Sequence, residues 1–288
     1  MDLRGLVRRL GFNRAREAGT HDAADGRTPR VCVPGVQFLV PINGTWGTLA
    51  EHHATARLLL DHYVNPATNP EEVCAAAVWV HADGKPWNSP EASELFDHVA
   101  WWLRAVTALL AGETSAFIWA WEECGMHATR EGELIILEER THNVEFRLPP
   151  ACFELRRFAE ELRDATREGA ALELGLRQLA DEQYPAEWRR IVIATKRSDA
   201  GLPPLPPDGP PDPVMDDFGR RLFNASGRQS LRLGKEIERE QEKRRKADPE
   251  GFARQEQADH LRQILQMLPE GELSAAWLQL SAALDLKN

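Results

Sequence analysis

Cysteine is scarce in this chain. Its 288 residues hold four, Cys32, Cys74, Cys124 and Cys152, and no two are closer than 28 positions. That spacing excludes C-x-x-C motifs and zinc ladders. Long hydrophobic runs are missing too. No stretch of 18 apolar residues occurs, so no membrane-spanning helix is expected. The N-terminal MDLRGLVRRLGF lacks a continuous apolar run of seven, so no signal peptide is expected. These absences predict a cytoplasmic protein with reduced thiols.

Phosphate-binding and hydrolytic signatures are absent as well. The chain holds no G-x-x-x-x-G-K-[ST], G-x-G-x-x-G, G-x-S-x-G or H-E-x-x-H. Pro41-Ile42-Asn43-Gly44-Thr45-Trp46-Gly47 could present amides to an anion, but it reads as a turn with a helix cap. Tyrosine occurs twice, against nine tryptophans. Tryptophan buries a large apolar area and carries one donor that wants a partner. A Trp-rich core is the plain reading, and a Trp-lined groove through Trp46, Trp87, Trp119 and Trp121 is the sharper one.

The net charge is −10, unevenly spread. Residues 1–30 carry +3, residues 31–197 carry −10 and residues 198–288 carry −3. A body at −10 repels phosphate backbones, so nucleic acid is excluded there and a basic protein partner suits it.

Four regions follow from composition. In residues 1–30, Leu3, Leu6, Val7 and Leu10 recur at helical spacing beside Arg4, Arg8 and Arg9, ahead of a loose lead. Such a basic helix suits docking on a partner or an anionic membrane surface. Residues 31–197 form the expected α+β core. Residues 198–214 include seven prolines between Leu202 and Val214, a linker of polyproline II character whose P-x-x-P spacings read as a spacer. Residues 215–288 read as a helical hairpin on that tether.

Within the core, VCVPGVQFLVPI predicts one or two strands. GTWGTLAEHHATARLLLDHYV predicts a helix with Leu49, His53, Ala56, Leu60 and Tyr63 on one face. CAAAVWVHADG predicts a strand ending at an Asp83-Gly84 turn. Ser89-Pro90-Glu91 starts a helix that buries Leu95, Val99, Trp102, Val106 and Leu109 and ends at Gly112. Ala116–Trp121 predicts a strand covered on both faces, with Phe117, Trp119 and Trp121 alternating against Ala116, Ile118 and Ala120. Met126–Arg130 and Glu133–Glu139 follow as strands across a type I′ turn at Glu131-Gly132. Val144, Phe146 and Leu148 alternate with Glu145 and Arg147 as a fourth strand. A long helix is expected from about Ala151 to Leu179, and a last strand at Ile191–Ala194. The fold class expected is therefore α+β: an antiparallel four- to six-stranded sheet packed by helices, plus a Pro-linked C-terminal helical hairpin.

Candidate chemistry concentrates in WAWEECGMHAT. Cys124 and His127 could meet across a tight turn as nucleophile and base. No third group is specified to orient the histidine. Adjacent Glu122 and Glu123 point to opposite sides of an extended backbone, a poor acid–base pair. His53 joins Glu122, Glu123, Cys124 and His127 as the catalytic candidates if the chain is an enzyme. His53 lies on the apolar stripe of its expected helix, where a core histidine is the commoner outcome. His53 and His62 fall on opposite faces of that helix, so no shared metal is expected, and no cofactor is called for.

The meander SAFIWAWEECGMHATREGELIILEERTHNVEFRLPP followed by ACFELRRFAEELRDA resembles the small α+β immunity proteins of bacterial toxin systems. The likeness spans about residues 36–180 and rests on layout and acidity. It implies a cytosolic protein that binds another protein and catalyses nothing. The function expected is a non-catalytic protein-binding module, immunity-like, an adaptor or a defence-system component. Trp46, Trp87, Trp119, Trp121, Glu122 and Glu123 are its candidate contacts. The alternatives are an enzyme or small-molecule binder with a Trp-lined pocket, and a self-assembling structural component.

Overall fold

Asn43-Gly44 and Asp83-Gly84 set the first half of the fold. All four residues have positive φ (53° and 76°, then 52° and 76°). Positive φ at both central positions defines the type I′ turn, whose twist matches paired strands. Asn43-Gly44 therefore closes a hairpin between β2 (Pro34–Ile42) and β3 (Thr45–Thr48). Asp83-Gly84 closes a second between β4 (Ala77–Ala82) and β5 (Lys85–Pro86). With β2 and β4 antiparallel, the sheet runs β3-β2-β4-β5.

This computed structural model describes residues 30–88, 96–120, 124–141, 148–203, 214, 217–218, 221 and 228–286. The chain divides into two units, Met1–Arg30 and Val31–Asn288. The expected N-terminal helix, the Ser89-Pro90-Glu91 cap, the strand at Val144–Phe146 and most of the Pro-rich linker lie outside the described residues.

The helix expected from Gly44 to Val64 is corrected. Thr45–Thr48 is strand, and Leu49–His53 is a turn with His53 at φ 49°. The helix, α1, covers only Ala56–Tyr63 and is capped by Thr55, whose side chain accepts from the Leu58 amide. Pairing to β2 overrides the helical spacing, because the type I′ turn at Asn43-Gly44 brings Thr45–Thr48 alongside Leu39–Ile42 as an edge strand. His53 is exposed in the turn, not seated in the core.

The second sheet has the order β1-β9-β8-β7-β6. Its strands are β1 (Val31–Cys32), β6 (Ser115–Ala120), β7 (Cys124–Glu131), β8 (Leu134–Thr141) and β9 (Ala151–Glu154). β6 to β9 are antiparallel neighbours, and β1 joins β9 in parallel. Glu131 pairs with Leu134, so the two-residue loop is Gly132-Glu133. Only Gly132 has positive φ (62°), which is type II′ rather than the expected I′. Ala151–Glu154 was expected to begin a helix. Its apolar run instead enters the sheet between β8 and β1. The chain switches sheets between β1 and β2 at Val33, whose amide donates to Asp83 Oδ1 at 2.8 Å while its carbonyl accepts from the Asp83 amide at 3.0 Å.

Helices fill the remaining volume. α2 (Phe96–Ala111) ends at Gly112, φ 115°. α3 (Leu155–Gln183) buries Leu155, Phe158, Leu162, Leu172 and Leu176 along one stripe. α4 (Pro185–Asp199) replaces the strand expected at Ile191–Ala194. Pro185 at its first position and Lys196 and Arg197 in its last turn favour helix over the β preference of Ile-Val-Ile. α5 (Arg228–Ala247), α6 (Pro249–Met267) and α7 (Glu272–Asp285) complete the chain. The fold is α+β, with its strands divided between two sheets rather than gathered in one.

The expected tether does not separate α7 from the body. α7 packs on α2 and α3 and buries Leu273, Ala276, Leu280 and Leu284 in the same core as Trp102, Phe153 and Phe158. Its N-terminus is held by Glu173 of α3, which is fully buried. The amides of Gly271, Leu273 and Ser274 (3.2, 3.3 and 2.7 Å) and the Ser274 hydroxyl donate to that carboxylate. Four donors and the positive end of a helix compensate the burial of one charge.

Candidate functional site

The inner face of the five-stranded sheet is closed. Ile118, Met126, Ala128, Ile135, Leu137 and Phe153 are buried there, beneath α2 and α3. Alternation along the strands turns the opposite set outward. Phe117 of β6 stands opposite His127 of β7, which stands opposite Glu138 of β8. Ser115, Thr129 and Ile136 form the next row. Toward β9 this face is covered, since Ile136 and Cys152 are buried. Toward β6 it is open, and Phe117 is 57% exposed. The Phe117 and His127 rings lie 3.8 Å apart between centroids. An exposed aromatic face beside an imidazole and a carboxylate suits a cationic side chain, which gains from the ring quadrupole and the charge together.

The other residues singled out from the sequence are dispersed. Trp46 sits half-buried on β3, opposite Pro41. Trp87 is buried, and its indole N–H donates to the Pro149 carbonyl at 2.7 Å, which ties the end of the smaller sheet to the entry of β9. Trp119 of β6 is paired with Met126 of β7. Trp121, Glu122 and Glu123 lie outside the described residues. The register of β6 on β7 shifts between Phe117 and Trp119, which interrupts the alternation expected to put both on one face. Cys124 opens β7, opposite Thr141. A continuous strand separates it from His127 by about 10 Å, so the expected approach of the two across a tight turn does not form. His53 is remote from both in sequence and lies in the turn before α1.

Two carboxylates that the sequence did not mark are the better built. Glu173 is described above. Glu72, buried, accepts from the amides of Asn43 (2.9 Å) and Gly44 (2.7 Å) and lies 2.9 Å from His62 Nε2. It thereby clamps the β2–β3 turn to α1. In both, each carboxylate oxygen accepts at least one hydrogen bond from a backbone amide. Nothing local in NPEEV or LELGL marks them, because their partners are backbone amides distant in sequence. Among the described residues, no cluster of three or more His, Cys, Asp or Glu is arranged to hold a metal ion.

The smaller sheet carries a second aromatic–imidazole contact. The Trp79 and His81 rings of β4 lie 4.5 Å apart, with Gly35 opposite His81. Its polar groups are spent inward. The Trp79 indole N–H donates to the Asn88 carbonyl at 2.7 Å. The Asn88 side chain accepts from the Val80 amide and donates to the Val78 carbonyl. Elsewhere, burial pushes the Tyr63 hydroxyl well up and the Cys152 thiol up, and burial holds His98 down. Hydrogen bonds from Thr48 hold Glu51 below the usual carboxylate range. None of these groups lies in the Phe117 row. Comparison of the chain with protein-family models, with curated proteins and with solved structures finds no match.

Proposed function

We propose that this chain is a non-catalytic protein-binding module of the cytoplasm, an adaptor or an immunity-like or defence-system component, whose partner is basic. The observation that carries the reading is the exposed Phe117 ring, tilted against the His127 ring in a row that continues to Glu138, at the open side of a sheet whose other face is sealed. Aromatic residues held rigid at a surface are the usual anchors of protein interfaces. The charge of −10 on residues 31–197 steers a basic partner toward such an anchor. The buried carboxylates Glu72 and Glu173 are engaged by backbone donors, which supports structural rather than chemical roles for them.

A tagged full-length chain is retained on beads and challenged with lysate of its own host at low and at 0.5 M salt, where a screening length of about 4–5 Å suppresses steering. A stoichiometric basic protein that binds at low salt, and binds at least tenfold less to Phe117→Ala, is the expected result. A partner indifferent to Phe117→Ala, or no stoichiometric partner, overturns the reading. Phe117→Ala leaves the fold intact, because the ring is more exposed than buried.

A further inference from the structure

Three of the four described sheet edges are guarded. β1 and β5 are two residues long, and β5 is Lys85-Pro86. β3 is four residues long. β6 is the longest edge strand at six, and its SAFIWA holds no Lys, Arg or Pro. Short strands, edge lysines and prolines are the usual defences against strand addition. The register shift of β6 begins after Phe117, so it interrupts only the far half. In the near half the hydrogen-bond phase is fixed. The Arg130 amide donates to the Thr114 carbonyl at 2.9 Å, one step before the Ser115–Thr129 pair. In an antiparallel ladder, hydrogen-bonded pairs alternate with pairs whose backbone groups point away from each other. Thr114 and Ala116 therefore bond to β7. Ser115 and Phe117 turn their N–H and C=O groups toward the open edge. β8 gives the same phase. Glu131 and Leu134 close a two-residue hairpin, so Thr129 and His127 bond to β8 and not to β6. Among the described residues, the four backbone groups of Ser115 and Phe117 have no partner, and both residues are exposed.

We infer that a partner is held here by strand addition: an extended basic segment lies along the near half of β6, bonds to the backbone of Ser115 and Phe117, and sets an arginine opposite Phe117. The inference rests on the reading of Phe117 as the anchor of a basic partner, and adds how that partner is bound. Main-chain bonds at a sheet edge supply affinity, and alternate side chains supply specificity. Side chains opposite Ser115 and Phe117 stand on the outer face, with the Phe117–His127–Glu138 row. A residue opposite Phe117 has its Cβ about 5.5 Å away, so an arginine there lies over the exposed ring. Its planar guanidinium stacks on an aromatic face, as a compact ammonium does not. Charge supports the same occupant. From Ala105 to Thr129 the chain holds three glutamates, Glu113, Glu122 and Glu123, and no Lys or Arg. Such an edge attracts a cationic segment and repels a second copy of itself.

Titration of the full chain with the acetylated, amidated heptapeptide Thr-Arg-Val-Arg-Val-Arg-Thr, up to about 1 mM, tests the inference. Its arginines share one face of a strand. Saturable binding is expected, at least tenfold tighter than for the analogue with glutamate in place of arginine. N-methylation of alternate peptide amides removes the donors of one strand edge at a time, and only one of the two alternate sets is expected to abolish binding. Amide exchange at Ser115 and Phe117 is fast in the free chain and slows at least tenfold with the peptide bound, while Ala116 is slow in both states. Ser115→Pro removes an N–H that β7 does not use, so it abolishes binding with Tm little changed. No saturation by that concentration, loss with both N-methylated sets or with neither, unchanged exchange at Ser115 and Phe117, or equal binding of the glutamate analogue overturns the inference. Weaker binding to Phe117→Ala with none of the effect of Ser115→Pro also overturns strand addition, and leaves the basic-partner reading standing. The exchange pattern with binding indifferent to Phe117→Ala overturns that reading, and with it the placement of the arginine. A dimer of the chain itself that forms through this edge and is lost in Ser115→Pro overturns the basic segment as occupant.

Discussion

Glu173 is fully buried and yet has no cation as partner. Its compensation is the N-terminus of α7: three amides and a hydroxyl donate to it. Hydrogen bonds to a charged group contribute about 1.5–3 kcal/mol each before desolvation is counted, and removing the acceptor strands buried donors. Glu173→Ala is expected to cost about 3–5 kcal/mol, the range seen when one side of a buried charged network is lost. Glu173→Gln keeps one acceptor oxygen and loses the charge–dipole attraction, so it costs less, about 1–2 kcal/mol. Urea titrations of the three chains check the order. An alanine variant no less stable than the glutamine variant contradicts the capping role.

At the scale of elements, Gly169 of α3 and Gly234 of α5 stand where propensity alone favours alanine by about 1 kcal/mol. Their surroundings reverse the outcome at the first and not at the second. A Cβ on Gly169 would stand 2.7 Å from Phe38 Cζ and 2.9 Å from two further ring atoms. Phe38 is buried and cannot yield. Overpacking of this kind costs about 1–3 kcal/mol, so Gly169→Ala destabilises on balance. Gly234 in α5 has nothing within 4 Å of its Cβ position. Gly234→Ala there stabilises by about 0.5–1 kcal/mol. Thermal melts of both variants check the pair, and equal shifts of the same sign contradict it. Such packing is what the sequence could not display. The Asp83-Gly84 turn, the Gly112 stop and the body of the long helix α3 were legible, because each is fixed by residues within a few positions. β3 was not, since Thr45–Thr48 becomes strand only on meeting β2. Nor was α4, whose Ile-Val-Ile run carries β preference while Pro185 and the packing of Trp188 and Ile191 decide for helix. Of the candidate site, His127 was singled out in the sequence as a candidate base for Cys124. Its contact with Phe117 was not, because it depends on a cross-strand register.

For the whole molecule, burial holds the pKa of His98 below its ordinary value, beside the Trp101 ring. The unfolded chain therefore binds a proton there at a pH where the folded one does not. Stability rises with pH wherever the unfolded state holds more protons. His98 thus contributes a loss of stability as pH falls below its unfolded pKa of about 6.5, a loss that levels off below the depressed folded value. The fall in Tm between pH 8 and pH 5 is expected to be smaller in His98→Gln than in the parent. An equal or larger fall contradicts the assignment.

The same scale decides whether the C-terminal helices are an appendage. Composition suggests a tether after Leu202, and a chain cut there keeps both sheets and α1 to α4. It also loses Glu173's donors and four large or small side chains of α7 that fill the groove between α2 and α3, Leu273, Ala276, Leu280 and Leu284. Each leucine lost from a core costs about 2–5 kcal/mol. Three of them therefore forfeit about 6–15 kcal/mol, as much as the whole stability of an ordinary domain at about 5–15 kcal/mol. Glu173 is left as a buried charge with no partner besides. A fragment of residues 31–202 is accordingly expected not to fold by itself. Adding a synthetic peptide of residues 269–288 in trans is expected to restore a cooperative melt, with a midpoint that rises with peptide concentration. A fragment that melts cooperatively without the peptide would show that α7 caps a body already complete, and would return residues 215–288 to the standing of a separate region.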